Sequence, residues 1–129
     1  MEALKDYFET TRGVGVIATA DREGKVNMAV YSRPHFLEEG SLAFIMRDRL
    51  THHNLQSNPH AAYLFVEEGQ GYKGKRLHLT KLKEEENSEL IQTLARRQYQ
   101  NEKKGARFLV SFKVDKELPL IGAGEEPSV

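Results

Sequence analysis

The residues best suited to chemistry stand in one short run. Arg47 and Arg49 flank Asp48 directly after an apolar segment, and Thr51-His52-His53 follow. Two arginines at the end of a buried strand are costly to keep without a partner, so both are expected to contact a ligand. The two histidines make a poor metal site. Neighbouring side chains on a helix diverge by about 100 degrees, and no third ligand has useful spacing. They read as solvated or ligand-facing, and no metal is expected. His35, His60 and His78 are scattered and read as surface or packing residues. Ser32 has no Gly-x-Ser-x-Gly elbow and no assignable His/Asp partner, which argues against a hydrolase. The run Gly69-Gln-Gly71-Tyr-Lys-Gly74 lacks the Gly-Lys-Ser/Thr ending of a phosphate loop and reads as a hairpin loop. Arg96-Arg97 and Lys103-Lys104 read as the solvated face and end of a helix, where cations complement its dipole. No side chain stands out as a proton donor, so no catalytic residue is assigned.

The elements that must position these residues belong to a chain of 129 residues, the size of one ordinary domain. Hydrophobic residues make up 39% and charged residues 29%, too apolar for a disordered chain. Basic and acidic side chains balance at 19 each, leaving no net field to attract nucleic acid or an anionic membrane. The absence of cysteine excludes disulfides, thiolate metal sites and cysteine nucleophiles. No apolar run approaches the roughly 20 residues that span a bilayer. The acidic, amphipathic opening is unlike a secretory signal. A soluble cytoplasmic protein is expected, with neither nucleic acid nor membrane as partner.

Ala3, Leu4, Tyr7 and Phe8 at helical spacing predict a short helix lying across one mouth of the barrel, stopped by Gly13. Residues 14–20 and 26–32 predict a hairpin around Asp21-Arg22-Glu23-Gly24, and Pro34 stops its second strand. Ser41 to Met46 alternates Leu42, Phe44 and Met46 with Ala43 and Ile45, which predicts a buried strand. Thr51 is the expected N-cap of a short helix that Asn58-Pro59 closes. Strands are expected over 61–67 and 75–82, then a helix capped by Asn87 or Ser88 and running to about Tyr99. Lys103-Lys104-Gly105 reads as a turn. The alternation of Phe108, Val110, Phe112 and Val114 predicts a half-buried last strand over 106–114. The tail of residues 117–129 has no periodic pattern. Together these elements predict one domain, 1–129: a mainly β (α+β), six-stranded antiparallel split β-barrel with short flanking helices. Closure into a barrel hides the edges of so many short strands.

Three stretches, in order, resemble the pyridoxamine 5'-phosphate oxidase-like FMN-binding split-barrel family. They are the hairpin of residues 13–32, the strand, polar loop and short helix from Leu42 to Pro59, and the strand Ala61 to Val66 with its glycine-broken hairpin. The resemblance covers roughly residues 3 to 100. Its most specific part is the short helix ending in Asn58-Pro59.

The resemblance implies a homodimer holding FMN between subunits, with the ring against strands 26–32 and 41–46. Carried onto this chain, Asn27, Met28, Ala29, Val30, Tyr31 and Ser32 face the ring or ribityl chain. Ile45, Met46 and Arg47 lie along the ring, while Arg49 with Thr51 holds the phosphate. A phosphate is well served by positive charge, a hydroxyl and free backbone N–H groups at one corner. The implied activity is that of a flavoprotein oxidoreductase acting on a small molecule by two-electron chemistry, with a small-molecule substrate or electron partner. Leu50 falls near a position where relatives often carry lysine. That departure leaves room for an F420-dependent relative, and a non-enzymatic flavin or haem binding or electron-transfer module is the second alternative.

Overall fold

The computed structural model describes residues 1–94 and 105–122. Its elements, in chain order, are α1 (Glu2–Thr10), β1 (Gly13–Ala20), β2 (Val26–Tyr31), β3 (His35–Phe36) and β4 (Leu42–Arg47). Then come α2 (Leu50–Asn54), β5 (His60–Glu67), β6 (Gly74–Glu86), α3 (Glu89–Leu94) and β7 (Arg107–Pro119). Every strand pairing is antiparallel, and the sheet order is β2-β1-β5-β6-β7-β4-β3.

That order forces the sheet to curl. β2 and β3 stand at opposite ends of it, yet Tyr31 and His35 are separated by only Ser32, Arg33 and Pro34. In a flat sheet of seven strands the two edges would lie about 29 Å apart. Four residue steps reach about 14 Å at most. The edges therefore turn toward each other, and the Tyr31 ring packs edge-on against Phe44 of β4 at 5.9 Å across the gap. The result is a split barrel with seven strands where six are expected.

Alternation places Ile17, Phe44, Met46, Tyr63, Phe65, Leu77, Leu79, Val110 and Phe112 inside. The Leu4 and Phe8 pair of α1, one turn apart, plugs one mouth as predicted, with Phe8 fully buried against Phe65 and Phe36. Gly13 does not stop that helix, which ends at Thr10. It lies in β1, where a Cβ would collide with the Val66 carbonyl. The expected hairpin turn forms because the Asp21 carboxylate accepts from the Glu23 and Lys25 amides at 2.9 Å each, while Gly24 adopts φ +89°. Ser88 caps α3, its hydroxyl accepting from the Leu90 amide at 3.1 Å.

Four expectations need correction. β3 is an unforeseen strand of two residues, pairing His35 with Ala43 and Phe36 with Leu42. β6 runs past Leu82 to Glu86, and β7 runs past Val114 to Pro119, so the irregular tail begins later than residue 117. Their ladder absorbs register shifts at His78/Leu79 and Lys81/Lys83, a long-range pairing that no local pattern announces. The half-buried last strand is in fact buried on both faces over Phe108–Phe112, because Ile91 and Leu94 of α3 cover Leu109 and Ala43 from outside. The end of the second predicted helix, Arg96-Arg97 and Lys103-Lys104 lie outside the described residues.

Candidate functional site

The gap between the two curled edges is an open cleft of about 830 Å³. β2 and the link after it supply Asn27 to Arg33, β3 supplies His35, and β4 supplies Phe44, Ile45 and Arg47. Arg49, Leu50 and Thr51 close one end, joined by Arg107 of β7. All the residues predicted for the site therefore meet in one place, except one. Met46 is fully buried in the barrel core and does not line the cleft. Its neighbours Ile45 and Arg47 point the other way along the pleat and do line the cleft.

The charged corner is built by three elements. Arg47 ends β4 and lies opposite Arg107 in the β4–β7 register, with Arg49 in the following turn. Three guanidinium groups thus border the same space as the buried Thr51. Thr51 is not the N-cap of α2, as expected. Arg49 occupies that position without a side-chain capping bond, and Thr51 lies inside the helix. There its hydroxyl accepts from the Asn27 amide Nδ2 at 3.4 Å, which ties β2 to α2. Asn54 fastens the same helix to β1 by donating to the Thr19 hydroxyl at 3.1 Å. With only five residues, α2 contributes little dipole, so the positive potential of the corner comes from the arginines.

The opposite end of the cleft is held by Tyr63. Its ring is buried in the core, and its hydroxyl donates to the carbonyls of Tyr31 at 3.2 Å and Ser32 at 3.0 Å. Gly15 makes room for that hydroxyl, since a Cβ there would overlap it. Arg33 Nη1 donates to the Phe8 and Thr11 carbonyls at 2.9 and 3.1 Å, fastening the end of β2 to the plug helix.

The histidines sort differently from expectation. His52 turns away from the cleft and is buried, stacked on Phe108 at 3.8 Å and 13°. Its Nε2 lies 3.0 and 3.1 Å from the two Glu84 oxygens. Burial pushes the Glu84 carboxyl up, but hydrogen bonds from Lys81, Gln56 and His52 and the His52 charge outweigh it and hold the group at about 2. His53 is exposed, and neither histidine lines the cleft. His35 does line it.

Arg33, His35, Phe44, Leu50 and Arg107 are lining residues that sequence reasoning missed. Arg107 could have been found by combining two signals: its place opposite the apolar inward set of β7, and the pairing of that strand with β4. The first is visible in the sequence, whereas the second is not.

Neither a family model nor a curated protein sequence matches the chain. Solved structures do. An FMN-binding protein from Syntrophomonas wolfei subsp. wolfei superposes with a TM-score of 0.72 at 20% identity, covering 93% of this chain and 85% of that one. The chain has the split-barrel fold of the pyridoxamine 5'-phosphate oxidase-like proteins. A proposed pyridoxamine 5'-phosphate oxidase from Lactobacillus delbrueckii shares the split barrel with a TM-score of 0.66 at 15% identity, over 92% of both chains. HutZ, the haem storage protein from Vibrio cholerae, shares it at 0.64 and 15% identity, over 92% of this chain and 93% of its own. At these identities the likeness establishes the split-barrel architecture, and the ligand must be argued from the cleft.

Proposed function

We infer that this protein binds FMN in the cleft, as a homodimer, and acts as an oxidoreductase on a small molecule. The observation that carries this reading is the cleft's division into a cationic corner and a flat, largely apolar wall. Arg47, Arg49, Arg107 and Thr51 suit a phosphate, to which arginine donates charge-assisted and often paired hydrogen bonds. Ala29, Val30, Tyr31, Phe44 and Ile45 suit the faces of a planar ring, and Asn27 offers polar contact between the two regions. The volume lies within the usual range for such sites. When bound, FMN supplies the two-electron chemistry, and the residues of this chain seat, orient and shield it. A flavin-binding relative of the same fold agrees with this reading.

The homodimer rests on the outer face of the same strands. Val26, Met28 and Val30 of β2 are 80%, 71% and 74% exposed, and Val14 of β1 is 59% exposed. Their ladder partners Ala20, Ala18 and Val16 extend the apolar surface across β1, and Leu64 and Val66 extend it onto β5. An apolar patch of this extent on an edge strand calls for a cover. A second copy seated there closes the cleft from its open side, since Met28 and Val30 belong to both the patch and the cleft rim.

A second reading, haem binding without catalysis, draws on the haem storage protein of the same fold. The arginine corner favours a phosphate over it. F420 also carries phosphate and is a closer rival. The visible spectrum of freshly purified protein, followed by mass identification of the released chromophore, separates the three. A colourless protein that takes up no added FMN overturns the reading.

A further inference from the structure

His52 has ring nitrogens aimed at two different carboxylates. Nε2 faces Glu84 on β6 at 3.0 Å, with Gln56 Nε2 at 3.1 Å from the same ring nitrogen. Nδ1 faces Asp48 in the turn before α2, at 3.7 Å, and is buried without a hydrogen-bond partner. Lys81 of β6 lies 2.7 Å from Glu84, and β7 contributes the stacked Phe108 ring. These are the charged groups and the ring that confine the imidazole. A neutral imidazole carries one N–H. Spent on Glu84, it leaves a lone pair on Nδ1 pointing at the Asp48 carboxylate. An imidazolium donates at both nitrogens and draws Asp48 against α2.

Asp48 sits in sequence between Arg47 and Arg49, the two arginines of the cleft corner. Held by His52, its carboxylate faces the imidazole, and Asp48 does not line the cleft. Released, it is a carboxylate adjacent in sequence to both arginines and able to compete with a ligand for their guanidinium groups. We propose that His52 is a positioning residue that governs the anion-binding corner through Asp48, so that an anionic ligand in the cleft and a proton on the imidazole favour one another. Linkage makes this reciprocal: if protonation strengthens anion binding, the anion strengthens protonation. The inference rests on the corner being an anion site. The Asp48 carboxylate is largely exposed, which keeps the effect modest.

The test has two parts. In the ligand-free protein, the His52 ring signals and the Asp48 to Thr51 backbone amides are followed by NMR from pH 5 to 9. The amides are expected to titrate with the midpoint of the ring and to lose that midpoint in His52→Gln. In the second part FMN, and separately sulfate, is titrated at pH 6 and pH 8.5. Sulfate stays doubly charged across this range, and the phosphate's own proton near pH 6 acts on every variant alike. The half-saturation concentration of the parent for sulfate is expected to rise about threefold at the higher pH. In His52→Gln that rise is lost with sulfate, and Asp48→Asn binds sulfate with the parent's low-pH affinity at both pH values. Amides that ignore the ring, or a His52→Gln variant that keeps the full rise, overturn the proposal. If His52→Gln fails to fold, an Asp48→Asn variant with the parent's pH dependence overturns it equally. A protein that binds neither FMN nor sulfate refutes the anion site itself, while the amide titration still decides whether His52 controls the turn.

Discussion

Removing the Tyr63 hydroxyl offers a direct test of how the cleft is held. The hydroxyl has one hydrogen, so its contacts to the Tyr31 and Ser32 carbonyls, at 3.2 and 3.0 Å, count as one shared donation. A net hydrogen bond contributes about 1 kcal/mol, and a buried carbonyl left under-satisfied raises the loss toward 2. Tyr63→Phe is therefore expected to cost about 1–2 kcal/mol, a fall in Tm of about 3–10 °C for a chain of this length. Gly15→Ala attacks the same point from the other side. Its new Cβ overlaps the Tyr63 hydroxyl and lies 2.7 Å from the Tyr31 carbonyl oxygen. Tyr63 is only 1% exposed and cannot swing away, so overpacking of about 3 kcal/mol is expected. The two changes share one collision. In the double variant G15A/Y63F the oxygen is gone, and the total should fall short of the sum by about 1 kcal/mol. Urea unfolding followed by circular dichroism measures all three, because the chain has no tryptophan to report by fluorescence. Strict additivity, or a Gly15→Ala protein as stable as the parent, would refute the packing argument. Loss of stability should also bring loss of FMN, since Tyr31 and Ser32 border the cleft.

Three more outcomes are expected. Arg49→Ala should weaken FMN retention about 10- to 100-fold with little change in Tm, as measured by flavin fluorescence titration, because a charge-assisted hydrogen bond contributes about 1.5–3 kcal/mol. Met28→Asp should turn a dimer into a monomer in sedimentation velocity while the circular dichroism spectrum stays that of the parent, and a variant that sediments like the parent would exclude the β2 face as the contact. Glu84 is held at about 2 in the folded protein against an ordinary value of 4.5, so its contribution is complete above pH 4.5 and lost as pH falls toward 2. Glu84→Gln should accordingly flatten the acid limb of stability between those pH values in urea midpoints, with about 1 kcal/mol at stake after solvent screening.

Much of the barrel could be read from local patterns. Val14 to Ala20 and Val26 to Tyr31 announce a hairpin because Asp21 and Gly24 supply turn chemistry within four residues. The inward set Phe108, Val110 and Phe112 is equally plain, as is the pair Leu4 and Phe8. The alternation of Leu42, Phe44 and Met46 also assigns Met46 to the core. It was the resemblance to flavin proteins that carried Met46 toward the cleft, whereas the structure buries it completely in the core. What the sequence hides is pairing at a distance. The charged end of β6, Lys83 to Glu86, has no strand-like composition and is held extended by its ladder to Phe108–Ser111. Arg107 enters the site through the same kind of contact, because only the β4–β7 register sets it opposite Arg47. His52 was invisible for another reason: its Glu84 partner lies 32 residues away.

Only three residues, Ser32, Arg33 and Pro34, join the two walls of the cleft. That brevity makes the connector a gauge for ligand size. Adding a residue there would let the walls drift apart by up to about 3.5 Å while leaving the residues of β2 and β4 that line the cleft unchanged. A longer link would thus widen the space for a guest while the strand residues that line it stay as they are.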